Sequence, residues 1–230
     1  MKLQKTPGPT EIAELVPSVS PMLIPKLLVG ARSIAYCPGE VVFHVGDVDG
    51  PALISAGLLR ALVSSHKGRE ATVRYLRPGR LAGLHTLFGE MPITVVAVEN
   101  SIVIHLDRRV VSRLAHEHAD FAWSLLGHCS EFVVNLTAAV RMFAFSTVKQ
   151  RVAARILAFA SQADRLNQQR IARVTQQGLA DSVGSVREVV ARAIRDLKSE
   201  GLVATVSPAG IVILDEAGLQ RVADLQEITA

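Results

Sequence analysis

The chain has 230 residues, 49% hydrophobic and 20% charged, which excludes wholesale disorder and leaves room for one large domain or two modest ones. Its net charge of +4 is unevenly spread: residues 149–214 hold ten Lys/Arg against five Asp/Glu, while the rest holds 15 basic against 16 acidic residues, so any polyanionic partner belongs at the C-terminal third. Two cysteines, Cys37 and Cys129, exclude a disulfide framework and a four-thiolate cluster; with no long apolar run and no signal-peptide layout in Met1–Pro9, a soluble cytoplasmic protein with no membrane contact is expected.

From about 34 to 107 the chain alternates short β-branched and apolar stretches: Val41–Val45, Ala52–Ile54, Leu58–Val63, Thr72–Leu76, Ile93–Val98 and Ile102–Leu106. Gly39, Gly46, Gly57, Gly68 and Gly79 follow at intervals of 7, 11, 11 and 11 residues, as the turns of an antiparallel roll require; a generic β-sandwich would space them similarly. From Asp107 to Phe145 the period becomes helical and two helices are expected. In the second, Leu125, Cys129, Phe132, Leu136, Ala139 and Phe143 step by 4, 3, 4, 3 and 4, the spacing of a coiled-coil seam. That stripe is assigned to a homodimer interface, and Trp123, Leu126, Val133 and Val140 to packing on the roll. A helix over Val148–Ala163, a polar connection over Gln162–Arg173, two short helices, a hairpin and a tail helix near Glu216–Gln226 complete the chain. The expected domains are residues 1–115, 116–146 and 147–230, in an α+β fold: antiparallel β-roll, long dimerisation helix, winged helix-turn-helix.

The chemistry concentrates in 175–213. Leu179, Ala180 and Val183 make a short apolar face, Gly184 breaks the helix, and Ser185 is placed to cap the next. That helix hides Val190, Ala193, Ile194 and Leu197 and displays Arg187, Glu188, Ala191, Arg192 and Arg195. Arginines can bond guanine O6 and N7 bidentately, a carboxylate can accept from a cytosine amino group, and alanine permits close approach, so this face suits a recognition helix in the major groove of duplex DNA. A solvated charged face is the bland alternative, but cap, glycine turn, basic face and a hairpin formed by Leu202–Val206 and Ile211–Leu214 around Ser207–Gly210 coincide within about 40 residues.

Arg187-Glu188-x-x-x-Arg192, with roll, long helix and winged helix in that order, resembles the cyclic-AMP receptor protein and fumarate–nitrate regulator (CRP/FNR) family of transcription regulators over nearly the whole chain. The resemblance implies that Arg187, Glu188 and Arg192 read a T-G-T-G-A-like half-site and that Thr175 and Gln176 contact phosphates. The fumarate–nitrate branch has a Ser before the final Arg and lacks the leading Arg; here Ala191 stands there and Arg187 is present, placing the preference nearer the cyclic-AMP receptor type. RNA polymerase is the partner such a regulator implies.

The sensory half departs from the family. After the Pro78-Gly79 turn, Gly83 is followed by Leu84 and His85 where cyclic-nucleotide binders carry Glu-Leu, and Leu81–Asn100 contains no Lys or Arg. Without that cation no anion anchor is expected, so cyclic AMP is disfavoured. Leu81, Gly83, Leu84, His85, Thr86, Thr94, Leu136 and Thr137 instead outline an apolar pocket with a few polar points. Three readings stay open: a small apolar or aromatic effector, no small effector, or haem with His85 as ligand, since Gly83-Leu84-His85 lies where the carbon-monoxide-sensing branch has Cys-x-His. His116 and His118 are two apart and fall on different helix faces, so no metal pair is expected. Nor is an enzyme: His44, His66, His85 and His105 occur singly, and no nucleophile elbow or phosphate loop is present. Cys129 on the seam could bridge to its symmetry mate, with simple packing as the alternative.

Overall fold

The computed structural model describes residues 2–4, 6–47, 50–66, 70–90, 92–160, 165–166, 169–206 and 210–224. By compactness the chain divides into one unit of residues 1–63 with 73–137 and another of 64–72 with 138–230.

The first unit is the antiparallel roll. Strands β1 (Lys2–Leu3), β2 (Arg32–Tyr36), β9 (Ser101–His105), β4 (Ala52–Ala56) and β7 (Leu81–Ala82) form one sheet in that order; β3 (Val41–Phe43), β8 (Thr94–Ala97), β5 (Leu59–Ser64) and β6 (Glu70–Leu76) form the other. Ile34, Ile54, Leu59, Leu76, Val95 and Val103 belong to one buried cluster supplied by both sheets. Gly39, Gly46, Gly57 and Gly79 all sit at φ between 83° and 87°, as the spacing predicts, and Gly68 lies outside the described residues. At Gly57 the requirement is strict, because an added Cβ would lie 2.3 Å from Ser101 Oγ and 2.6 Å from Asn100 O.

Two helices between β1 and β2 are not revealed by periodicity: α1 (Pro9–Leu15) and α2 (Ile24–Leu27). Seven and four residues are too short to show a 3.6-residue repeat, but Ile12 and Ile24 are fully buried in a cluster with Leu53, Ile104, Val111 and Leu114. The expected pair of helices follows as α3 (Arg108–Glu117) and α4 (Ala119–Phe145), with Asp107 capping α3 by accepting from Arg109 N and Val110 N.

The second unit contains α5 (Val148–Ala160), β10 (Arg165–Leu166), β11 (Gln169–Ala172), α6 (Gln176–Val183), α7 (Arg187–Ser199), β12 (Val203–Val206), β13 (Gly210–Ile213) and α8 (Glu216–Ala223). The segment expected as a polar connection carries β10 and β11, and β11 pairs with β13 through Ile171↔Val212, so the hairpin is one edge of a four-stranded sheet ordered β10-β11-β13-β12. Among the described side chains of β11, Ile171 is the one large residue that is buried, too little to make an alternating pattern. Residues 161–163, 207–209 and 225–226, expected to end a helix, to turn and to end the tail helix, lie outside the described residues. Val152, Ile156, Leu179, Ile194, Leu197 and Leu219 form the core. Among the described residues no helix is long and apolar enough to cross a membrane.

Candidate nucleic-acid interface and ligand cavity

The helix-turn-helix is built locally. Thr175 Oγ1 accepts from Gly178 N at 2.9 Å and starts α6; Gly184, at φ 63°, ends it, and both Gly184 N and Ser185 N donate to Ala180 O. Using the Ser185 amide in that closure corrects the expected cap: α7 starts at Arg187 after Val186, which makes no side-chain cap, and Ser185 stands one residue outside. Val190, Ala193, Ile194 and Leu197 are buried, whereas Arg187, Glu188, Arg192 and Arg195 are exposed. Glu188 falls in the first turn, where a carboxylate complements the helix dipole. Thr175, Gln176 and Arg187 line a common groove with Thr205, Val206 and Gly210 of the hairpin, bringing the α6 start, the α7 start and the wing onto one surface.

On α4 the structure exchanges the two apolar faces. Leu125 is buried in a roll cluster and Phe132 packs against the other, whereas Trp123 (75% exposed), Leu126 (54%), Val133 (58%) and Val140 (58%) are open. Leu136 and Cys129 are also exposed, Ala139 is buried, and the Arg151 guanidinium lies 5.5 Å from the centroid of the Phe143 ring. Both stripes step by threes and fours, so spacing alone could not say which one meets the roll. The open stripe continues as Trp123, Leu126, Ser130, Val133, Thr137, Val140 and Ala144.

A cavity of about 210 Å³ lies inside the first unit. Of the residues expected there, Leu81, Gly83, Leu84 and His85 line it. Thr86 does not: it is fully buried and donates its hydroxyl to Gly83 O at 2.7 Å. Thr94 is also absent, because Ile93 and Val95 face the cavity and strand alternation turns Thr94 away. Leu136 and Thr137 are exposed, with the Thr137 hydroxyl donating back to Val133 O. The remaining wall comes from α4 (His128, Cys129, Phe132, Val133) and from Arg74 and Leu76 on β6.

Arg74 brings to this cavity a cation from outside Leu81–Asn100, the segment that holds no Lys or Arg. It is 9% exposed, its Nη2 donates to Leu81 O across a long 3.4 Å, its guanidinium lies 5.5 Å from the Phe132 ring centroid, and its Nη1 has no partner. An unsatisfied buried donor costs about 1–3 kcal/mol, and more when charged. The signal was present in the two-residue alternation of β6, which places Arg74 on the same face as Thr72 and Leu76. A porphyrin does not fit: the cavity is little larger than one that holds benzene, about 150 Å³, and Gly83 supplies no thiolate.

Burial holds the His85 and His128 imidazoles below the ordinary histidine range, with Arg80 and Arg74 adding to the effect at His128 and Glu131 opposing it. The unfolded chain therefore takes up these protons first, so stability is complete above about pH 6.5 and falls as acid is added below it. Thermal melts should be flat from about pH 8 to 6.5 and decline towards pH 5, less steeply for His128→Gln. An equal slope in that variant would remove His128 from the account.

Roll, long helix and winged helix-turn-helix together define a DNA-binding transcription regulator with an N-terminal β-roll module. Residues 33–118 match the cyclic nucleotide-binding domain and residues 150–222 the Crp-like helix-turn-helix domain. The chain is 26% identical over 199 residues to transcriptional regulator SdrP of Thermus thermophilus, covering 84% of this chain and 95% of that one. It is 30% identical over 190 residues to HTH-type transcriptional regulator Cmr of Mycobacterium tuberculosis, covering 80% and 73%. A solved CRP/FNR-family regulator from Thermus thermophilus superposes with a TM-score of 0.69 at 25% identity, covering 83% and 97%. The chain belongs to the CRP/FNR family of transcription regulators.

Proposed function

We propose that this regulator works as a homodimer that reads a palindrome of T-G-T-G-A-like half-sites with Arg187, Glu188 and Arg192, while Thr175 and Gln176 hold phosphates and Arg195 adds charge at the groove edge. The observation that carries the reading is the common surface made by Thr175, Gln176, Arg187 and the wing, with the other two reading side chains exposed on the same helix. The open face of α4, centred on Leu126, Val133 and Val140, is the dimer seam, because coiled-coil spacing with this much exposed apolar area calls for a partner helix. Two-fold symmetry then sets half-site centres about 34 Å apart. Control of transcription from such a site implies contact with RNA polymerase.

The roll cavity is the effector site, and cyclic AMP is not its ligand: the ribose-bonding Glu is missing after Gly83, and about 210 Å³ suits one substituted ring better than a purine nucleotide. Selection of bound sequences from a random duplex pool should enrich the palindrome. Enrichment of an unrelated motif, or of none, would contradict the assigned reading face.

A further inference from the structure

The cavity wall is mostly apolar, with Ala61, Leu76, Ile93, Val95 and Phe132 around one buried guanidinium. The charge of Arg74 is not cancelled locally. The carboxylate that acts on it most, Glu131, is engaged by Arg80, so two guanidiniums share one negative group. His128, neutral near pH 7, adds no charge, and Arg74, which lines the cavity, keeps its Nη1 as a buried donor without an acceptor. A neutral apolar molecule would fill the space and leave that donor unsatisfied. A carboxylate would meet the planar guanidinium in its own geometry, and the remaining volume takes about one ring or a branched chain of similar bulk.

We infer that the cavity binds a small organic anion with an apolar body, an aromatic or branched-chain carboxylate, whose carboxylate is held by Arg74. The inference rests on reading the cavity as the effector site and names the chemistry of what enters it. It also gives the ligand a way to act: Phe132, under the guanidinium, and Glu131 both belong to α4, the helix whose other face forms the proposed seam. An anion on Arg74 changes the electrostatic balance shared by Arg74, Arg80 and Glu131 and so bears directly on that helix.

The test is calorimetric titration of the full-length protein with benzoate, phenylacetate, 3-phenylpropionate and 4-methylpentanoate, each beside its neutral amide. At least one carboxylate should bind saturably and about tenfold or more tighter than its amide, and Arg74→Met should abolish that ratio while leaving the amide's affinity unchanged. Should Arg74→Met fail to fold, Arg74→Lys, which keeps the charge but loses the fork, should bind the acid at least about threefold more weakly. Three results would overturn the inference: equal affinity for acid and amide, undiminished acid binding by the Arg74 variant that folds, or no saturation by any of the four acids below about 10 mM. Gel shifts on the same samples separate the two readings. Carboxylate binding without DNA binding contradicts the regulator mechanism alone, and DNA binding without carboxylate discrimination contradicts the anion site alone.

Discussion

Replacing Val133 by Glu should yield a monomer whose affinity for a palindromic duplex is reduced by about a hundredfold or more. Val133 is 58% exposed in the middle of the open stripe of α4, and in a symmetric pair it lies close to the same residue of the other chain. Glutamate there would bury two like charges without partners, which a largely apolar seam cannot solvate. Because Val133 is more than half exposed at the rim of the cavity and belongs to neither buried cluster of the roll, the roll itself should keep its melting temperature. Each monomer would then hold one half-site, losing the gain of linked binding. Sedimentation and fluorescence anisotropy read both effects. A dimer with unchanged DNA affinity would place the interface elsewhere.

Arg187→Ala should cost about 1–3 kcal/mol on the palindrome and relax selectivity at one base pair of each half-site, with little change on random DNA. Arg187 is exposed at the first position of α7, and no hydrogen bond or ion pair joins it to another of the described residues, so its loss leaves the winged helix intact. Gln176→Ala is the contrast. As a phosphate contact it should weaken specific and random duplexes alike. Anisotropy titrations against a set of single-base variants distinguish them, and equal loss on specific and random DNA for Arg187→Ala would contradict its role.

The parts of this molecule legible in its sequence are those whose determinants are local. Gly184, the Val190-Ala193-Ile194-Leu197 stripe and the following hairpin all lie within one short segment, and the structure places them as their spacing dictates. The glycine-punctuated strands are legible for the same reason. The features that depend on tertiary packing are not. Helix α4 carries two apolar stripes of equal period, and only the packing of Leu125 and Phe132 on the roll decides which one is left open. Helices α1 and α2 are too short to show a period, and among the described side chains of β11 only one large residue, Ile171, is buried. At the cavity, the family's anchor segment, Leu81–Asn100, does not contain Arg74, because the cation arrives from β6, a strand outside that segment. Thr94 illustrates the converse: proximity in sequence to Ile93 and Val95 put it on the expected wall, and strand alternation took it off.

The central claim is that paired copies of Arg187, Glu188 and Arg192 read a two-fold symmetric site. It is tested most directly by the ratio of dissociation constants for a duplex with two T-G-T-G-A-like half-sites centred one helical turn apart and for a scrambled duplex of equal length, at a fixed near-physiological salt concentration. The ratio should be about a thousandfold or more in favour of the palindrome and should collapse when the half-site spacing is changed by half a turn. Affinities within about tenfold of each other, at every spacing, would contradict it.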